Sequence, residues 1–270
     1  MTSTTRRTFL AVGAAALSHA MIARVANAQS APASAGPVDP ALIDDLVAAN
    51  RILVDQGVVD GYGHVSVRHP GDPQRYLMSR SIAPELVTAA DIMEYDLDST
   101  AVDPRGRTSY LERFIHGEIY RARPDVKAVV HNHSPSVIPF GVSTVPLKPL
   151  YHMSAFLGGG VPVFDIKAAA GGPTDMLVRN AALGRALATT LGARPVALMR
   201  GHGCVVVGPA IQMTVFRSVY TEMNARLQAQ AMALGPVTYL DDEEARLAGG
   251  SVGGTVVRPW ELWRKKALAR

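Results

Sequence analysis

Two periodicities alternate along the chain. Apolar residues at helical spacing (Ala41, Leu42, Leu46, Val47, Leu53, Val54) predict a helix over 40–56, with Gly57 as its stop. Val65, Val67 and Tyr76-Leu77-Met78 predict strands around the turn His69-Pro70-Gly71-Asp72-Pro73, and 92–97 reads as another. A helix is expected over 109–123, ending before Pro124 and placing Glu112 and His116 four apart on one face. The run 126–132 is a strand, 134–153 is loop-rich, and 161–166 is a strand. A helix over 176–191, closed by Gly192, and strands at 195–199 and 205–207 follow. The longest helix spans 209–234 and is capped by Gly235-Pro236, and two short amphipathic helices cover 241–247 and 259–266. Strands and helices alternate without a strict repeat, which predicts one α/β domain around a mixed central sheet.

Composition narrows the class. With 270 residues, 48% of them hydrophobic, the chain buries one large core. The net charge of +4 is spread out, with no basic run interleaved with aromatics, so nucleic acid is not an expected partner. Cys204 is the sole cysteine; it permits no intramolecular disulfide and no thiolate metal site, and reads as a small buried residue. At the N-terminus, Thr5-Arg6-Arg7-Thr8-Phe9-Leu10 is a twin-arginine element, and Ala26-Asn27-Ala28 is a small-x-small cleavage site. The apolar run between them is broken by Ser18, His19 and Arg24 and is too short for a membrane span. The expected organisation is a signal peptide at 1–28, a flexible leader at 29–39 and a catalytic domain at 40–270, with the mature protein periplasmic or secreted.

The candidate chemistry lies at strand ends. Alternate residues of a strand share a face, so His131 and His133 leave the sheet edge on the same side, in a chelating arrangement. An isolated His-x-His more often marks two hydrogen-bonded structural rings. A third histidine shifts the balance. His202, in Met199-Arg200-Gly201-His202-Gly203, again follows an apolar strand, and its glycine neighbours permit a sharp turn. Three neutral imidazoles with an open position form the ligand set of a Lewis-acid metal.

In order and spacing, several segments resemble the class II aldolase/adducin family, from about residue 40 to residue 247. They are Gly63-His64-Val65-Ser66-Val67-Arg68, Glu112 with Tyr120-Arg121-Ala122-Arg123-Pro124-Asp125, Val129-Val130-His131-Asn132-His133-Ser134, and Gly201-His202-Gly203. The resemblance implies a three-layer α/β/α sandwich around a mixed, mostly antiparallel sheet. It implies that His131, His133 and His202 bind a divalent metal, zinc first, with manganese, cobalt or iron as alternatives. It places Glu112 at the catalytic acid/base position; His116, four residues on, is read separately as a residue that orients it. Members are commonly tetramers with sites at subunit interfaces, so a homo-oligomer is expected.

Departures from the sugar-phosphate aldolases bear on the substrate. Their phosphate-holding positions correspond here to His64, Ser81-Ile82 and Tyr110-Leu111, and Ile82, Tyr110 and Leu111 put apolar bulk where a phosphate needs donors. The substrate contacts are then His64, Ser81 and Tyr110, with Arg80 offering a planar fork for a carboxylate. The proton-donating tyrosine of the aldolases falls near His152, whose ring exchanges protons near neutral pH. His69, in a turn, is expected in solvent. These features, with the run Phe156-Leu157-Gly158-Gly159-Gly160-Val161-Pro162-Val163, look more like the family's decarboxylase branch. The resulting reading is a metal-dependent carbon–carbon lyase that decarboxylates a hydroxylated aromatic or related unsaturated carboxylic acid through a metal-stabilised enolate. Its alternatives are an aldolase on a non-phosphorylated keto-acid or sugar, a non-haem iron oxygenase, and a binding or structural protein with a vestigial site.

Overall fold

The computed structural model describes Met1 and residues 32–269; the twin-arginine element and cleavage site lie outside the described residues. Helix α1 (Pro40–Asp55) starts where Asp39 accepts a hydrogen bond from the Ala41 N–H, with proline in its first turn. It is followed by β1 (His64–Arg68), β2 (Arg75–Ser79), β3 (Ile92–Asp96), α2 (Phe114–Ala122), β4 (Ala128–Asn132) and α3 (Ile138–Val142). Next come β5 (Val163–Phe164), α4 (Ile166–Ala170), α5 (Ala181–Leu191), β6 (Val196–Met199) and β7 (Gly203–Gly208). Helices α6 (Ile211–Leu234), α7 (Asp242–Gly253) and α8 (Val257–Leu268) complete the described chain.

The strands form one seven-stranded sheet in the order β3-β2-β1-β4-β7-β6-β5. Every pairing is antiparallel except that of β5 with β6. Strand alternation sorts its residues into two cores. Val65, Ala128, Val130, Val206 and Leu198 pack with α1, α6 and α8, while Val129, Val205, Val207, Ala197 and Met199 pack with α2 and α5. Each fully buried Val, Leu or Ile adds roughly 1.5–3 kcal/mol over its exposed state, so helix layers hold both faces. The expected α/β/α sandwich with a mixed, mostly antiparallel sheet is therefore what the chain forms.

Several elements differ from the sequence expectation. The helix expected from 109 begins as a 3₁₀ turn at Leu111–Arg113, and Glu112 has non-helical angles of φ −91° and ψ 17°, so α2 starts only at Phe114. The helix expected from 176 starts at Ala181, because Asn180 accepts from the Leu183 N–H and acts as its N-cap, while Met176 takes φ +70°. The strand expected over 161–166 shrinks to two residues and gives way to α4, capped by Asp165. The loop-rich stretch holds α3 and a 3₁₀ turn at His152–Leu157. Within the stretch read as a flexible leader, Ser34 and the Ala35 N–H both bond the Glu94 carboxylate, at 2.6 and 2.8 Å. His69 is buried rather than exposed, its Nδ1 accepting from the Gly71 N–H at 3.0 Å.

The β6–β7 turn carries His202. Gly201 adopts φ +65°, and a Cβ on Gly203 would lie 2.0 Å from the Asn132 carbonyl oxygen. Only glycine lets β7 approach the end of β4 this closely.

Candidate metal centre and active-site cavity

Four side chains converge at the end of β4 and β7. The ligating atoms of Glu112, His131, His133 and His202 all lie within 4.8 Å of one another. His131 Nδ1 lies 3.2 Å from the Cys204 carbonyl and His202 Nδ1 lies 2.8 Å from the Met176 carbonyl, so both rings carry the proton on Nδ1 and turn Nε2 inward. Met176, which presents that carbonyl, has a φ of +70°. His202 Nε2 approaches His133 Nε2 at 2.9 Å. His131 Nε2 is buried and has no hydrogen-bond partner among the described residues. A buried nitrogen lone pair without a partner, facing two more imidazole nitrogens and a carboxylate, is the donor set of a divalent cation.

The Glu112 carboxylate is fixed at both ends. Oε1 accepts from the Val178 N–H at 2.9 Å, while Oε2 lies 3.6 Å from His131 Nε2 and 3.4 Å from His202 Nε2. Burial pushes its proton affinity up, but the neighbouring His131 and His202 outweigh this and hold it well below the usual carboxylate range. Burial and the neighbouring His131 and His202 push His133 down to about 4. For His202, burial opposes the charged form, yet Glu112 raises its pKa above the ordinary histidine value.

A cavity of about 510 Å³ opens above this cluster, walled by Tyr62, His64, Ile82, Tyr110, Leu111 and Leu177. Among the described residues, no lysine or arginine lines it. Register pairs His64 with His131 across β1 and β4, and the His64 ring stands 4.7 Å from Tyr110. Ser81 is an exposed part of the lining. Tyr110 contributes its ring, because its hydroxyl donates to the Ile82 carbonyl at 2.6 Å.

Three sequence expectations are corrected here. Arg80 does not line the cavity; its Nε donates to Asp91 Oδ1 at 2.6 Å, which ties the guanidinium to a carboxylate of the chain. His152 is exposed and lines a separate cavity with Phe156, Met213 and Phe216, so a single chain does not bring it to the cluster. His116 does not orient Glu112; it bonds His64 and Ser66 instead, because the kink at Glu112 takes the carboxylate off the α2 face.

Two contributors leave no local signal in the sequence. Glu222, on α6, accepts from the Ser136 N–H at 3.0 Å and from the hydroxyls of Ser134 and Ser136, which fixes the chain just beyond His133. Its distance of 86 residues in sequence hides this contact. Tyr62 stands at the cavity mouth, 71% exposed, with its ring 6.2 Å from that of His133.

The family model "Class II Aldolase and Adducin N-terminal domain" matches residues 44–229. This chain belongs to the class II aldolase and adducin family. Within it, decarboxylase tropJ of Talaromyces stipitatus is 38% identical over 240 residues, covering 80% of this chain and 90% of its own. The 3,4-dihydroxyphthalate decarboxylase of a Terrabacter species is 33% identical over 202 residues, covering 69% and 80%. In fold, the L-fuculose 1-phosphate aldolase of Glaciozyma antarctica superposes with a TM-score of 0.70 at 23% identity, covering 86% of this chain and 94% of that one. The class II aldolase fold and the resemblance to the decarboxylase branch are thus both upheld.

Proposed function

We propose that this class II aldolase family member is a metal-dependent carbon–carbon lyase that decarboxylates a hydroxylated aromatic or related unsaturated carboxylic acid. The observation that carries this reading is the pairing of a four-residue ligand cluster with a cavity wall that, among the described residues, holds no lysine or arginine. A phosphorylated substrate would lack cationic side chains on that wall, whereas an apolar ring with one chelating end fits it. The kinship with two decarboxylases supports loss of CO2 over aldol cleavage.

His131, His133 and His202 would hold the divalent cation, zinc by the all-nitrogen histidine set. When bound, that ion supplies a Lewis acid for the electron pair left by C–C cleavage. Glu112, ionised and anchored through Oε1, takes the proton of the substrate hydroxyl at Oε2 and returns it to the carbon that lost CO2. Tyr62, Ile82, Leu111 and Leu177 offer the ring an apolar wall, and His64, Ser81 and Tyr110 bound the rest.

Protein reconstituted with zinc is expected to release CO2 from hydroxybenzoate-type acids, to lose the activity with EDTA, and to regain it with zinc. Aldehyde release from keto-acid or sugar donors, without CO2, would move the enzyme to aldol cleavage.

The family resemblance further supports a homotetramer, in which a neighbouring copy covers the exposed Tyr62 and Leu111 and could present its His152 to the site. Export through the twin-arginine element is proposed on its motif order. Periplasmic protein is then expected to begin near Gln29 and to have the native mass of four chains; an intact Met1 in a cytosolic fraction counts against export.

A further inference from the structure

We propose that His64 serves this lyase as a hydrogen-bond donor through Nε2, its proton held there by a buried relay of His116, Ser66 and Tyr120. The inference rests on the proposed lyase reading for its substrate, and on geometry alone for the state of the ring.

β1 places His64 and Ser66 on the face turned toward α2, and α2 places His116 and Tyr120 one turn apart to meet them. His64 Nδ1 lies 2.6 Å from His116 Nε2, His116 Nδ1 lies 2.6 Å from Ser66 Oγ, and Ser66 Oγ lies 2.8 Å from the Tyr120 hydroxyl. All four residues are at most 4% exposed. Each link holds one proton, so the direction of any one link fixes the others.

Tyr120 sets that direction. Among the described residues, Ser66 is the only side chain its hydroxyl bonds, and the backbone group beside it, the Val129 N–H, is itself a donor. A phenol that accepted from Ser66 would keep its own proton buried without an acceptor, at a cost of about 1–3 kcal/mol. Tyr120 therefore donates to Ser66, Ser66 to His116 Nδ1, and His116 Nε2–H to His64 Nδ1. Only Nε2 remains for the His64 proton. That nitrogen has no hydrogen-bond partner among the described residues, and the ring lines the cavity beside His131.

His64 is thus a fixed donor where negative charge gathers, and not a base at that atom. The substrate atom facing it is an acceptor: a carbonyl, a carboxylate or an ionised hydroxyl oxygen. His64 is a catalytic residue in this scheme, while His116, Ser66 and Tyr120 are positioning residues.

Long-range ¹⁵N–¹H NMR on zinc-loaded, histidine-labelled full-length protein tests the relay without turnover. Protonated Nε2 and bare Nδ1 on His64 are expected. Tyr120→Phe should give His64 both tautomers and lower turnover of the acid about two- to ten-fold at unchanged zinc content, with Ser66→Ala as the second variant. His64→Ala should lower turnover about 10²-fold with zinc retained. A bare Nε2 in the unaltered protein, or an unchanged tautomer in both relay variants, overturns the inference. Failure of every acid tested would count against the lyase reading alone, because the tautomer is read independently.

Discussion

Alanine at His131 is expected to strip the metal from the protein and to lower turnover by about 10²-fold or more. Losing a residue that merely orients a ligand already costs 10- to 100-fold in affinity, and here a ligand itself is lost. His131 stands on the central strand β4, with Nδ1 held by the Cys204 carbonyl and Nε2 buried without a hydrogen-bond partner among the described residues. His133 and His202 face the same point and would be left as the only imidazole donors of the cluster. Elemental analysis of purified protein, run beside the CO2 assay and a thermal melt, checks the outcome. One full equivalent of tightly bound metal with normal turnover would remove His131 from the ligand set.

Glutamine at Glu112 is expected to lower turnover by about 10²–10⁴-fold while leaving metal content nearly intact. The amide oxygen still accepts from the Val178 N–H, so the side chain keeps its place. What disappears is the negative charge beside His131 and His202, and with it the base that receives the hydroxyl proton. Steady-state kinetics should show the loss in kcat more than in KM, since the change touches proton transfer and not the apolar wall. If metal falls in step with activity, Glu112 is needed first as a ligand.

The three histidines were legible because strand alternation and glycine flanks are local signals: His131 and His133 share a face whatever else the chain does, and Gly203 admits only one close approach. The two-sided core was legible for the same reason, in the apolar runs of β4, β6 and β7. Resemblance singles out Glu112, but helical spacing runs through the kink at this residue, where the carboxylate accepts from the Val178 N–H. The late start of α5 was written in Asn180, yet the apolar residues Met176, Leu177 and Val178 extended the helical pattern through it. Arg80 and His116 failed differently. Whether a guanidinium is free or already spent on Asp91, and whether a ring turns to Glu112 or to His64, depends on contacts 11 and 52 residues away. Charge and periodicity carry no record of such partners.

The cluster grows from the middle of the sheet, where β4 is hydrogen-bonded on both sides to β1 and β7. Apart from His64 on β1 and the cluster itself, the cavity walls belong to connections: 61–63, 81–83, 110–111 and Leu177. Mutations in those connections can therefore redraw which molecule is admitted while the bond-breaking apparatus stays on its foundation. Such a division lets one ancestral framework diversify by exchanging its rim, so kinship to enzymes with unlike substrates is an outcome this architecture favours.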